Sequence, residues 1–221
     1  SDTGKIIVLE GLDGSGKTTQ VNIIKKYLES IGKKVRQVKL PNYENPSSTL
    51  VKLYLLGELG SLEEVNAYAV SSFYAVDRYV SYNNDWKTNY LKGDIIVSDR
   101  YTTSNIIYQM SKFPKEEWEN YLTWLYDFEY QKLGLPQPTM VIYLDMHPNT
   151  SESLLEKRHT IENSPQDIHE ENIKFLTQAR KVALYTAQKQ NWKVISCCDG
   201  QKPYPIETIT KKIIEIIAPI V

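Results

Sequence analysis

A chain of 221 residues can bury one sizeable core and sits near the usual length of one compact domain, so a single domain spanning 1-221 is expected. Its 27 acidic and 26 basic residues nearly cancel, which excludes a global pull toward nucleic acid or anionic membrane and makes any anion site a local one. The adjacent cysteines Cys197 and Cys198 suit neither a structural disulfide nor a metal set, and no apolar run is long enough to span a bilayer; the protein is expected to be soluble and cytoplasmic.

The run Lys5 to Glu10 is apolar and β-rich and ends at Gly11, as a buried strand feeding a tight turn does. Helical spacing follows from Lys17 to Ile31, stopping at Gly32. A second strand is predicted over Lys34 to Leu40, halted by Pro41, and Asn42 to Ser48 has the composition of a loop. Helices are predicted over Ser48 to Leu56 and Asn66 to Asn83, with a helical stretch on to Leu91. The third strand, Asp94 to Ser98, carries Asp99 at its carboxyl end. Lys115 to Leu133 reads as one aromatic-rich helix, broken by GLPQP at Gly134 to Pro138 before a fourth strand, Met140 to Leu144. Helices flank a polar interval from His159 to His169. The last of them runs from Glu170 to about Gln190, ahead of a fifth strand at Lys193 to Cys197 and a terminal helix at Ile206 to Ile217. Strands alternating with helices predict a parallel sheet covered on both faces, with ligands at the carboxyl ends of the strands.

Two features fall at those ends. Gly11-Leu12-Asp13-Gly14-Ser15-Gly16-Lys17-Thr18, continued by Thr19, matches G-x-x-x-x-G-K-[ST] and stands between a predicted strand and a predicted helix. Glycines let backbone amides curl around phosphate oxygens, the helix N-terminus adds partial positive charge, Lys17 reaches the outer phosphates and Thr18 ligates magnesium. The second feature, Ser98-Asp99-Arg100-Tyr101, puts a carboxylate suited to a magnesium water shell and a guanidinium suited to an acceptor phosphate beside that loop. No N-K-x-D guanine-reading run is present, which points away from a GTPase. On the predicted helix at 66–83, Phe73 and Tyr74 lie near Arg78, and Tyr74 and Arg78 are i, i+4 neighbours able to converge on a flat base.

Taken in order, GLDGSGKTTQ, FYAVDR, SDRYTTSNIIYQ and a stretch near LLEKR followed by a long helix resemble the thymidylate kinase family of nucleoside monophosphate kinases. The resemblance implies a three-layer α/β fold of the P-loop NTPase type, with a five-stranded parallel sheet and a mobile lid at about 157-170. It implies phosphorylation of thymidine monophosphate (dTMP) by ATP with Mg2+, in a homodimer that binds neither nucleic acid nor membrane. By the same resemblance, Phe73 and Tyr74 hold thymine, with Tyr74 stacked on it, and Arg78 bonds its exocyclic oxygen. Ser104 and Asn105 sit by the base edge, Tyr108 crowds the ribose 2' position, Arg100 clasps the monophosphate, and Asp13 reaches the acceptor's sugar or phosphate. Where the family has Phe-Pro-x-Arg, this chain reads Leu40-Pro41-Asn42-Tyr43, and where the lid has Asp-Arg-x-Glu it reads Asp167-Ile168-His169-Glu170. Gly14 occupies the loop position that carries an arginine in some members. Arg158 is the expected replacement cation, with His169 a weaker candidate. The competing readings are a kinase for another deoxynucleotide or deoxynucleoside, and a low-turnover nucleotide-binding regulator.

Overall fold

The computed structural model describes residues 2–150, 167–170 and 172–221. Five strands, β1 (Lys5–Glu10), β2 (Val35–Lys39), β3 (Ile95–Asp99), β4 (Met140–Asp145) and β5 (Lys193–Ser196), form one sheet in the order β2-β3-β1-β4-β5, with every pairing parallel. The sheet therefore has the five-stranded parallel form expected from the sequence. β1 lies between β3 and β4, so the chain passes to opposite sides of it in building the sheet, and a crevice opens at its carboxyl end.

Both faces of β1 are buried, and alternate residues serve different layers. Ile7 and Leu9 pack with Val97, Ile142 and Leu144 against α1 (Lys17–Ser30), which contributes Val21, Ile24 and Leu28. The terminal helix α8 (Ile206–Ile217) adds Ile209, Ile213 and Ile217 to that layer. Ile6 and Val8 face the other way, with Ile96, Val141 and Tyr143, into a layer built by α5 (Thr103–Tyr108), α6 (Trp118–Tyr126) and α7 (Ile173–Gln190). A smaller cluster, Val51, Tyr54, Leu55 and Val70, joins α2 (Thr49–Leu55) to α3 (Ala67–Ser81) beside the crevice.

The helix ends follow from local chemistry. Asn66 Oδ1 accepts from the Ala69 amide and Asn172 Oδ1 from that of Phe175, capping α3 and α7. Asn191 takes a left-handed conformation (φ 59°) to end α7. Arg180 donates from Nε and Nη2 to the two oxygens of Asp145 at 2.7 and 3.0 Å, fastening α7 to the end of β4.

Three expectations differ. The six-residue helix α5 was not predicted, because all of its residues are buried and no polar face marks it. The stretch expected as one helix from Lys115 to Leu133 is a 3-10 turn, then α6, then a π-helical segment at Asp127–Lys132. A second π-helical segment, Tyr82–Trp86, separates α3 from α4 (Lys87–Leu91). Each π turn adds a residue per turn and shifts the helix face that follows.

Candidate active site

β1 delivers the chain to Gly11, where a Cβ atom would lie 2.5 Å from Ser15 Oγ and 3.0 Å from the Leu144 carbonyl, so this approach requires glycine. Gly16, left-handed at φ 88°, starts α1 without a side-chain cap. The amides of the first helical turn thus have no internal acceptors and point toward an anion. Ser15 Oγ is buried with no protein partner, a donor placed inside the loop. Lys17 Nζ donates to the Leu12 carbonyl at 3.3 Å, and burial, with Arg100 nearby, lowers its pKa to about 8 against the pull of Asp13, Asp99 and Glu10. Asp13, Gly14, Gly16, Lys17, Thr18 and Thr19 line a cavity of about 660 Å³ with Asp99 and Arg100. Leu12 differs from the expectation for a lining residue, since its side chain belongs to the core; Gly11 and Ser15 are likewise buried beneath the loop.

Thr18 Oγ1 donates to Asp99 Oδ2 at 2.8 Å, bringing a hydroxyl from α1 and a carboxylate from β3 to one point. Two hard oxygen groups beside a phosphate loop fit Mg2+. Arg100, the next residue, has φ 69°, a conformation costly for a residue with a Cβ and retained where function uses it. The turn sends its guanidinium back across the loop. Nη2 donates to Asp13 Oδ1 at 2.7 Å and to Tyr108 Oη at 3.1 Å, while Nη1 donates to Ser104 Oγ at 3.2 Å. Burial pushes the Asp13 carboxyl up, but Arg100 and Lys17 hold it, on balance, well below the usual carboxylate range.

Arg100 also lines a second, narrow cleft of about 40 Å³, together with Asp13, Pro41, Tyr43, Tyr74, Ser104, Asn105, Tyr108 and Gln109. Five of the expected acceptor residues, Tyr74, Arg100, Ser104, Asn105 and Tyr108, are therefore brought to one cleft. Phe73 instead packs against the α2–α3 cluster, and Arg78 is buried away from the lining, with Nε on Glu129 Oε1 at 2.6 Å and Nη1 on the Tyr101 carbonyl at 3.2 Å. Tyr43 lines both cavities where a family arginine would stand. Its loop is held by the buried Asp77, which accepts from the Asn42 amide and the Ser47 hydroxyl.

Sequence reasoning missed several residues here. Glu10, wholly buried, accepts from Ser104 Oγ at 2.8 and 2.9 Å, and burial pushes its carboxyl up to about 7 although Arg100 opposes this. Gln109 neighbours the Tyr54 hydroxyl, but neither of its buried polar atoms completes a hydrogen bond with protein. Its place directly after Tyr108 was the one available signal. Asp13, Asp167 and Glu170 each offer a carboxylate oxygen within 4.8 Å of the others, a set able to take a cation. Burial, reinforced by those neighbours, pushes the Asp167 carboxyl up to about 7.

Arg158, and the expected lid up to residue 166, lie outside the described residues. The end of that segment is described, and it buries His169. Its imidazole stacks on Tyr108 at 4.9 Å and 11°, and its Nε2 is 2.6 Å from Tyr54 Oη, which also accepts from Lys112 Nζ at 2.8 Å. Burial first, then Lys112, lowers its pKa to about 3. His169 forms part of the wall of the narrow cleft and does not line the phosphate-loop cavity. Ile168 fixes the same segment to α2 through its amide on the Leu55 carbonyl at 3.1 Å.

A glycine-rich loop entering a helix at the switch point of a parallel sheet, joined by one arginine to a second cleft, has the form of a P-loop nucleotide kinase. The family model described as thymidylate kinase matches residues 9–212. This chain belongs to the thymidylate kinase family, and is thus a nucleoside monophosphate kinase. It is 28% identical to the thymidylate kinase of Prochlorococcus marinus (strain MIT 9312) in an alignment covering 97% of this chain and 95% of the relative. It is 30% identical to a probable thymidylate kinase of Saccharolobus solfataricus, over 86% of this chain and 87% of that one. Its fold matches the solved thymidylate kinase of Candida albicans with a TM-score of 0.72 and 22% identity, covering 99% and 93% of the two chains.

Proposed function

We propose that this chain transfers the terminal phosphoryl group of magnesium ATP to dTMP, giving ADP and thymidine diphosphate. The observation that carries the reading is Arg100, which follows β3, bonds Asp13 of the phosphate loop and lines both cavities. A phosphate held by Arg100 has its oxygen facing the phosphate loop. That oxygen attacks the terminal phosphorus, the bond to the bridging oxygen breaks, and ADP departs. Phosphoryl transfer relies on positioning and charge neutralisation, so the chain forms no covalent intermediate. Lys17 and the loop amides hold the donor oxygens. Thr18 and Asp99 would hold Mg2+, which would supply further neutralisation of those oxygens. On the acceptor side, Tyr74 offers a ring face to the base, and Ser104, Asn105 and Gln109 offer polar groups.

The chain works in this reading as one thymidylate kinase-like domain whose lid, at about 157-170, brings Arg158 to the transferring phosphoryl. Arg158→Ala is expected to cut turnover by at least about tenfold, and unchanged kinetics would remove Arg158 from the mechanism. A homodimer is supported by the exposed Val76 and Tyr79 on α3. Among the described residues no helix is long and apolar enough to cross a membrane, in keeping with work in the cytoplasm. Coupled release of ADP against a panel of monophosphates and nucleosides tests the whole. The expected result is a clear preference for dTMP; turnover of nucleosides, or of none, contradicts it.

A further inference from the structure

The acceptor cleft is backed by a carboxylate that no motif marks. Glu129 lies in the π-helical segment Asp127–Lys132, is 0% exposed, and has both oxygens engaged. Oε1 accepts from Arg78 Nε at 2.6 Å and Oε2 from Asn105 Nδ2 at 3.1 Å. Asn105 Nδ2 gives its other hydrogen to the Ser71 carbonyl at 3.1 Å.

This arrangement has a chemical consequence for Asn105. A side-chain amide has two N–H donors and one carbonyl acceptor, and here both donors are consumed behind the cleft. Its hydrogen-bond network assigns the amide orientation, and among the described residues no protein donor meets Asn105 Oδ1, while the residue lines the cleft. What Asn105 can offer a ligand is therefore an acceptor. Arg78, which does not line the cleft, holds the same carboxylate from behind through Nε and gives Nη1 to the Tyr101 carbonyl.

We infer that Glu129 is a positioning residue for base selection, because it fixes Asn105, which lines the cleft, as an acceptor. An acceptor there matches the ring N–H of a pyrimidine imide. It mismatches the unprotonated ring nitrogen that cytosine presents at the same place. The buried ion pair with Arg78 is weak evidence of stabilisation. Glu129 touches no substrate and acts only through Asn105. The inference rests on the proposed acceptor being a thymine nucleotide.

Glu129→Gln tests it. Glutamine has one acceptor oxygen in place of two, so it satisfies Arg78 or Asn105 but not both, and turns an N–H toward the other. Dissociation constants for dTMP and for its cytosine counterpart, dCMP, are measured by calorimetry, with the KM for ATP and the melting temperature as controls. The unaltered protein is expected to prefer dTMP, and in Glu129→Gln that preference should shrink by at least roughly tenfold with the ATP KM little changed, the scale of one mispaired buried polar group. If both ligands weaken equally, or neither does, the inference is overturned, since a merely structural role would leave the ratio alone. Should Glu129→Gln not fold, Glu129→Asp withdraws the carboxylate by one methylene and is expected to shrink the ratio less; an unchanged ratio overturns the inference here too. Absence of dTMP binding to the unaltered protein defeats both the inference and the reading it rests on, whereas normal binding with an unmoved ratio defeats the inference alone.

Discussion

Arg100 answers to three partners at once: Asp13 in the phosphate loop, and Ser104 and Tyr108 on α5. A planar fork with separate donors does this, and an ammonium on a flexible stem does not. Arg100→Lys keeps the charge, so the expected loss is geometric: kcat/KM for the acceptor falls by at least about tenfold while the KM for ATP moves less. Steady-state kinetics with both substrates varied would show it, and wild-type values would contradict the placement. His169 makes a different prediction. Its folded pKa, about 3, lies below its ordinary 6.5, so the folded state resists a proton that the unfolded state accepts. That stability is fully present above pH 6.5 and is lost as pH falls toward 3. Between pH 7 and 5 the loss from this one group is roughly 2 kcal/mol. His169→Gln retains an acceptor for the Tyr54 hydroxyl but does not titrate, and denaturation at the two pH values should show the loss reduced; an identical loss would contradict the burial of a neutral imidazole.

At the scale of elements, the strand, loop and helix from Lys5 to Ser30 were legible because each signals itself locally: a β-branched run, glycines at a turn, then apolar residues at helical spacing. Val21, Ile24 and Leu28 are wholly buried against the sheet. Leu28→Ala is expected to cost about 2–5 kcal/mol in chemical denaturation; a cost below about 1 kcal/mol would contradict the packing. Local signals failed where burial was complete or helical phase slipped. Thr103 to Tyr108 has no exposed face, and the π turn carrying Glu129 breaks the period that a sequence reading follows. The site's hidden carboxylates share a further reason. Glu10 meets Ser104 across 94 residues and Glu129 meets Arg78 across 51, so their roles come into being only when the sheet and helices assemble. Motif residues such as Lys17, Thr18 and Arg100 were readable because the loop and the strand end each announce themselves within a few positions.

For the whole molecule, the strand order places the end of β1 between two neighbours, and α1, α3 and α5 present Lys17, Tyr74 and Ser104 to that crevice. The donor loop and the acceptor cleft share Asp13 and Arg100, which makes transfer between two bound nucleotides, rather than hydrolysis, the chemistry this architecture serves. Incubation with ATP labelled at the terminal phosphorus, dTMP and Mg2+, followed by separation of the products, tests this most directly. Label is predicted in thymidine diphosphate, in proportion to ADP formed. Label released as inorganic phosphate, with dTMP recovered unchanged, would contradict it.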